Sequence, residues 1–282
     1  MPSKYNRVYN IKPDKEDIRD KLCKFETMFV PSKISFREYC PPIYDQANLG
    51  SCTSNAWLFN YKLWLKSHGI DISKIDFSRL KHYYDERVIE GTVSEDSGAT
   101  LRNGGKVLQK TGVCYEELWP YVINLFATEP SEKAKLESVN HKIPTYRRLN
   151  NIIEIKQYLT KMQNAGTPAG VVIGIKIYES FESIKARNTG IISMPTSSES
   201  CLGGHAVCII GFNDDFCDTS VKNKGCLSWL LNILFGNISD DENKVTGYFE
   251  LENSWSEKWG DNGYFWLPYN YMKDNAFDFW VI

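Results

Sequence analysis

Gln46 to Ser54 reads QANLGSCTS, which sets a cysteine at the head of an apolar, helix-type run and a glutamine six positions before it. A thiol is a strong nucleophile as its thiolate, and the unpaired N–H groups and dipole of a helix N-terminus favour that anion. Attack of a thiolate on a carbonyl carbon puts negative charge on the oxygen. The side-chain amide of Gln46 and the backbone N–H of Cys52 are the donors this spacing offers to it. A lone cysteine after Gly-Ser is more often a small buried hydrophobe, so the reading depends on what stands downstream.

Leu202 to Gly211 reads LGGHAVCIIG, a glycine pair and a histidine leading into an apolar run of strand type. Phe249 to Phe265 reads FELENSWSEKWGDNGYF and puts Asn253 and Trp255 just after a short alternating segment. A carboxamide can accept from an imidazole N–H and fix the ring, and an indole can keep water from that bond. His205 and Asn253 are therefore a base and its orienting partner for Cys52. Read singly, His205 is a core histidine, Asn253 a turn residue, and Trp255 and Trp259 are divided between packing and lining a cleft.

Cys, His and Asn in this order, flanked by DQ-x-x-LGSC, GGHAV, NSW-x-x-x-WG-x-x-GYF and the Leu-Trp-Pro-Tyr of Leu118 to Tyr121, resemble the papain-like cysteine proteases over about residues 36–282. The resemblance implies an α+β, two-lobe fold, with a helical N-terminal lobe (about 45–140), a β-rich C-terminal lobe (about 141–282) and the cleft between them. It implies a cysteine peptidase in which Cys52 attacks a peptide carbonyl, His205 protonates the leaving amine, Asn253 orients the ring, Gln46 completes the oxyanion site and water resolves the thioester. It also implies that an extended peptide pairs with the Ser97-Gly98-Ala99 edge, with Gly50, Gly204, Ala206 and Trp255 lining the groove. Small residues beside His205 leave room for an apolar side chain two positions before the scissile bond. The same thioester can be resolved by an amine, so an acyltransferase is one alternative; a non-catalytic module that grips peptides or a partner is the other, and keeping all four site residues argues against it.

Three positions depart from the family pattern. Leu49 stands for the first cysteine of C-G-[SA]-C-[WY] and Thr53 for its aromatic, a variant resembling the LGSCT-type subgroup of prokaryotes and large DNA viruses. Ser256 stands where glycine usually follows NSW, a change that is tolerable unless the backbone there needs a positive φ.

The elements that must hold these residues follow from the pattern. Cys52–Lys66 reads as a largely buried helix ended by His68-Gly69, and Phe77–Glu90, Thr100–Lys110 and Ile152–Gln163 as further helices. Ala169–Ile177, His205–Gly211, Gly247–Glu252 and Gly263–Pro268 read as strands. With 282 residues, 13% of them aromatic, the chain can bury a substantial core, and a net charge of -2 gives no basic footprint for nucleic acid. Leu227–Phe235 is far shorter than the ~20 residues of a membrane span. The first twenty residues carry nine charges and no apolar run, so no signal peptide is expected, and the compartment is cytoplasmic or, for a viral chain, the virion.

Reduced thiols are then the default for the eight cysteines, with Cys217 and Cys226 as the pair to watch. Cys201, His205 and Cys208 have metal-like spacing but no fourth ligand, so neither metal nor cofactor is expected. The family places His and Asn ~130–150 residues after the cysteine, whereas 48 positions separate His205 from Asn253, which marks an insertion over about 214–244. Its CLSWLLNILFG run is expected either to fold back on its own lobe or to dock on a partner or a second copy through Trp229, Leu230, Leu231, Ile233, Leu234 and Phe235. Residues 1–35, much shorter than a long helical pro-region, are expected to wrap the enzyme and lie partly across the cleft as an inhibitory pro-segment. A structural strap away from Cys52 is the competing expectation.

Overall fold

A computed structural model describes residues 7–216, 218 and 247–282. The calls on the 214–244 insertion, including its apolar run and the Cys217–Cys226 pair, fall almost wholly outside the described residues.

Helix α1 (Cys52–Ser67) is buried from Cys52 through Leu63, as its nearly all-round apolar surface requires. It packs against α2 (Arg79–Glu90) and α3 (Leu101–Lys110), and α4 (Glu132–Ser138) completes the helical part. Ser78 caps α2 by accepting from the Lys81 N–H, and Gly91 ends it in the left-handed conformation.

The remainder is a seven-stranded sheet with the order β2-β7-β3-β4-β5-β6. Its strands are β1 (Lys33–Ser35), β2 (Arg147–Leu149), β3 (Val171–Tyr178), β4 (Cys201–Asn213), β5 (Tyr248–Glu252), β6 (Tyr264–Pro268) and β7 (Ala276–Val281). All named pairings are antiparallel. β4 is the spine: β3 and then β1 lie along one edge, and β5 along the other. Helices α5 (Ile152–Ala165), α6 (Ile184–Thr189) and α7 (Tyr269–Asn275) pack around the sheet. The helical half and the sheet meet where α1 lies on β4. There the Asn60 carboxamide accepts from the Gly170 N–H at 2.7 Å and donates to its carbonyl at 3.1 Å.

The four long helices and four central strands fall where periodicity puts them, with ends moved by a few residues. β4 starts four residues earlier than expected, so His205 lies inside the strand rather than at its start. β1 brings Lys33–Ser35 into the sheet, so the last part of the 1–35 segment is structural. Among the described residues, no helix is long and apolar enough to cross a membrane.

Candidate active site

Cys52 is the first residue of α1, with Ser51 as the preceding cap. His205 lies in β4, and Asn253 directly follows β5. Pairing of β4 with β5 sets Cys208 opposite Glu252, so the two loop-ward ends run side by side. The His205 Nε2 lies 2.9 Å from Asn253 Oδ1. That oxygen also accepts from the Ser254 backbone N–H at 2.9 Å. A backbone N–H can only donate, which fixes the carboxamide orientation and means that Nε2 carries the ring proton. Nδ1 is left as the ring's basic atom, and it has no partner among the described residues.

Cys52, His205, Asn253 and Gln46 are all fully buried. Burial pushes the Cys52 thiol up to about 12, with the Ala206 and Thr53 N–H groups pulling it back. The same burial drives His205 down to about 4, opposed by its bond to Asn253. Burial thus favours the neutral form of both the sulfur and the ring. The Ala206 N–H at the sulfur places Cys52 against the residue next to His205. Behind α1, Thr53 donates to Glu86 Oε2 at 2.7 Å, and burial pushes the Glu86 carboxyl up.

Gln46 is fixed on every side. Its N–H donates to the Ser254 carbonyl at 2.9 Å, its Oε1 accepts from Ser254 Oγ at 2.6 Å, and its Nε2 donates to the Leu49 carbonyl at 3.0 Å. An isolated bridge between Asp45 and Trp255 ties the same two loops. Trp255 lies on the His205 ring at 5.1 Å, nearly parallel to it, while Trp259 packs inward on Phe181 and Phe265.

What buries the site is the chain's own segment around residues 7–11. Arg7 donates to Asp45 and to the Ala47 carbonyl, both at 2.8 Å. The Tyr9 ring stands 6.1 Å from His205 and 5.9 Å from Trp255. Asn10 bridges Gly204 in parallel and donates to the Asp96 carbonyl at 2.7 Å. A Cβ at Gly50 or Gly98 would come within 2.5 Å of the Asn10 side chain, and one at Gly204 within 2.5 Å of the Ile11 carbonyl. Gly50, Gly98 and Gly204 thus converge on one strip of backbone.

Of the other expected groove residues, Trp255 lies beside Tyr9, Ser97 turns its hydroxyl to Thr92, and Ala99 and Ala206 are buried. A separate cavity of about 810 Å3 lies between Pro41–Tyr44 and the Ile70–Asp76 loop, outside the filled cleft. Sequence reading missed Ser254, Asp96, Tyr9 and Asn10. Only Ser254, inside the NSW motif, carried any local signal.

Solved structures share this fold. Xylellain, a cysteine protease from Xylella fastidiosa, superposes with a TM-score of 0.78 and 30% identity, over 100% of this chain and 98% of its own. Digestive procathepsin L2 of Tenebrio molitor, at 14% identity and a TM-score of 0.67, covers 98% of this chain and 78% of its own and shares the fold. In sequence, an uncharacterised peptidase C1-like protein of Acanthamoeba polyphaga mimivirus is 37% identical over 246 residues, 84% of this chain and 68% of that protein. The profile of the papain family cysteine proteases matches residues 30–276, and the chain belongs to that family. It is a cysteine peptidase of α+β, papain-like fold.

Proposed function

We propose that the chain hydrolyses peptide bonds through Cys52, His205 and Asn253, and that residues 7–14 hold it inactive by occupying the cleft. The observation that carries the reading is the Cys52 sulfur beside the Ala206 N–H, one residue from a His205 ring whose Nε2–H is fixed on Asn253. Cys52 Sγ attacks the carbonyl carbon while its proton passes to His205 Nδ1. The oxyanion is held by the Cys52 N–H and by the second amide hydrogen of Gln46, the first being fixed on Leu49. Collapse of the tetrahedral species breaks the C–N bond, and His205 gives its proton to the leaving amine. Water then attacks the thioester, His205 taking its proton and returning it to the sulfur.

Blocking operates in two ways. The strip around Asn10 stands where substrate backbone would pair, and it dehydrates the catalytic pair, which favours the neutral thiol and imidazole. Its direction matters. Arg7 and Tyr9 lie on the Trp255 side, which by family likeness receives the leaving group, and Asn10 and Ile11 on the Gly98 and Gly204 side, which receives the acyl part. The blocking strand therefore runs opposite to a substrate.

The test is covalent labelling of intact protein by an epoxysuccinyl peptide, read by mass spectrometry, for the full chain, a chain starting near residue 31, and Cys52→Ala in each. Labelling confined to Cys52 and faster after truncation is expected. Labelling elsewhere would overturn the assignment of the nucleophile, and equal rates would overturn the blocking role.

A further inference from the structure

The blocking strand is an internal ligand, and its side chains report what the cleft accepts on the leaving-group side. Tyr9 reaches past His205 and Trp255 and donates its hydroxyl proton to Glu182 Oε1 at 2.6 Å. Glu182 ends the 3-10 turn Glu179–Glu182 that follows β3, and only 5% of it is exposed. Its place is fixed by its neighbour Phe181, which stacks on Trp259 and meets Trp255 edge-on. At the rim, Arg7 pairs with Asp45 and lies over Trp255 at 5.6 Å. Asp45 is 46% exposed, so that pair contributes little beside the buried contact.

We infer that Glu182 is a specificity residue, which selects, directly after the scissile bond, a long side chain tipped by a hydrogen-bond donor: tyrosine, lysine or arginine. The inference rests on the peptidase reading above. When substrate replaces the strand, Tyr9 leaves the cleft, and a buried carboxylate must find another donor or bear the cost of losing one. A site built to hydrogen-bond a substrate discriminates against the analogue that lacks the group far more sharply than an apolar pocket discriminates by size. Phenylalanine fills the same space but leaves Glu182 without that donor, and glutamate adds like-charge repulsion.

Internally quenched peptides differing only in the first leaving-group residue (Tyr, Phe, Lys, Leu, Glu), assayed on the full chain, test this. The strand competes equally with every member, so it scales all kcat/KM values by one factor and cancels from their ratios. Tyrosine should exceed phenylalanine by about tenfold, the effect of one hydrogen bond to a charged group, and glutamate should be worst. Glu182→Gln should keep tyrosine above phenylalanine by a smaller ratio and lose the lysine advantage; Glu182→Leu should lose both. Flat ratios alongside normal turnover would overturn the inference while leaving the peptidase standing, whereas absence of both turnover and Cys52 labelling would overturn the peptidase reading itself. Should the intact chain turn over too slowly to rank substrates, Tyr9→Phe should speed Cys52 labelling about tenfold and have no effect in the Glu182→Leu background. An equal effect in both backgrounds would overturn the inference.

Discussion

Protonation of Asp14 should tighten the blocking segment. Asp14 follows the blocking strip, and its carboxylate is wholly buried against α3 and β7. It accepts from the Arg102 N–H at 3.1 Å and from Trp280 Nε1 at 2.9 Å, while its own N–H donates to Asp278 Oδ2 at 2.6 Å. Around it, Arg102 pairs with Asp20, and Arg148 pairs with Asp20 and Asp278. Burial, then the charge of Asp278, raise Asp14 from 3.8 to about 6, against the pull of Trp280 and Arg102. Asp278 is raised by burial too, while the Asp14 N–H of the segment pulls it back. Asp17 is lowered by Arg19 within the segment itself, a pair that survives release and so drops out. A carboxyl whose docked pKa exceeds its free value favours docking when protonated. The stabilisation is complete below 3.8 and lost as pH rises through 6. Two units correspond to about 3 kcal/mol at the limit, and to roughly a tenfold tighter docking at pH 5 than at pH 7. Hydrogen exchange of residues 7–24 in full-length Cys52→Ala/His205→Ala, corrected for the intrinsic pH dependence of exchange, reads this free of catalysis and of the His205 imidazole, which the docked segment holds down at about 4 and whose protonation favours release. Protection should rise about tenfold on acidification, and Asp14→Asn, which still accepts from Trp280, should flatten the slope. Protection that falls with acid, or a slope unchanged in Asp14→Asn, would refute the reasoning.

Three further outcomes follow from single contacts. Ser256 has φ +65 where the family usually has glycine, so Ser256→Gly should stabilise the fold by about 1 kcal/mol in denaturant titration. Ser254→Ala removes the 2.6 Å bond that fixes Gln46 Oε1; kcat should fall about tenfold with KM little changed, while Gln46→Ala, which removes the donor itself, should cost about a hundredfold. Asn60→Ala leaves both polar groups of Gly170 without their side-chain partner and should lower stability by about 2–3 kcal/mol, with no change in the Cys52 labelling rate of the folded fraction.

Local order and motif made the reacting groups legible, because a nucleophile at a helix start and a base paired across two strands leave marks within a few residues of each. The long helices and central strands were legible for the same reason. β7 was not: Asp278, at φ +54, interrupts the strand where its register with β3 shifts, so its alternation breaks. β2, three residues long, has no pattern to break. The course of residues 7–24 is held by scattered carboxylates, guanidinium groups and one indole, contacts between positions up to 266 apart that no local window contains. Glu182 was invisible because its meaning comes from Tyr9, 173 positions away. The bias of Cys52 and His205 toward their neutral forms could not be foreseen either, since it depends on what covers them.

The reversed run of the blocking strand bears on how the enzyme would mature. Asn10 lies against Gly204 with its side chain between Gly50 and Gly98, and the strand that we propose as the block runs antiparallel to a productive peptide. On that reading the first cut is expected from another molecule whose cleft is already open, and maturation is then expected to be second-order: slow in a dilute sample, self-accelerating once seeded, and with a lag that shortens as the protein is concentrated.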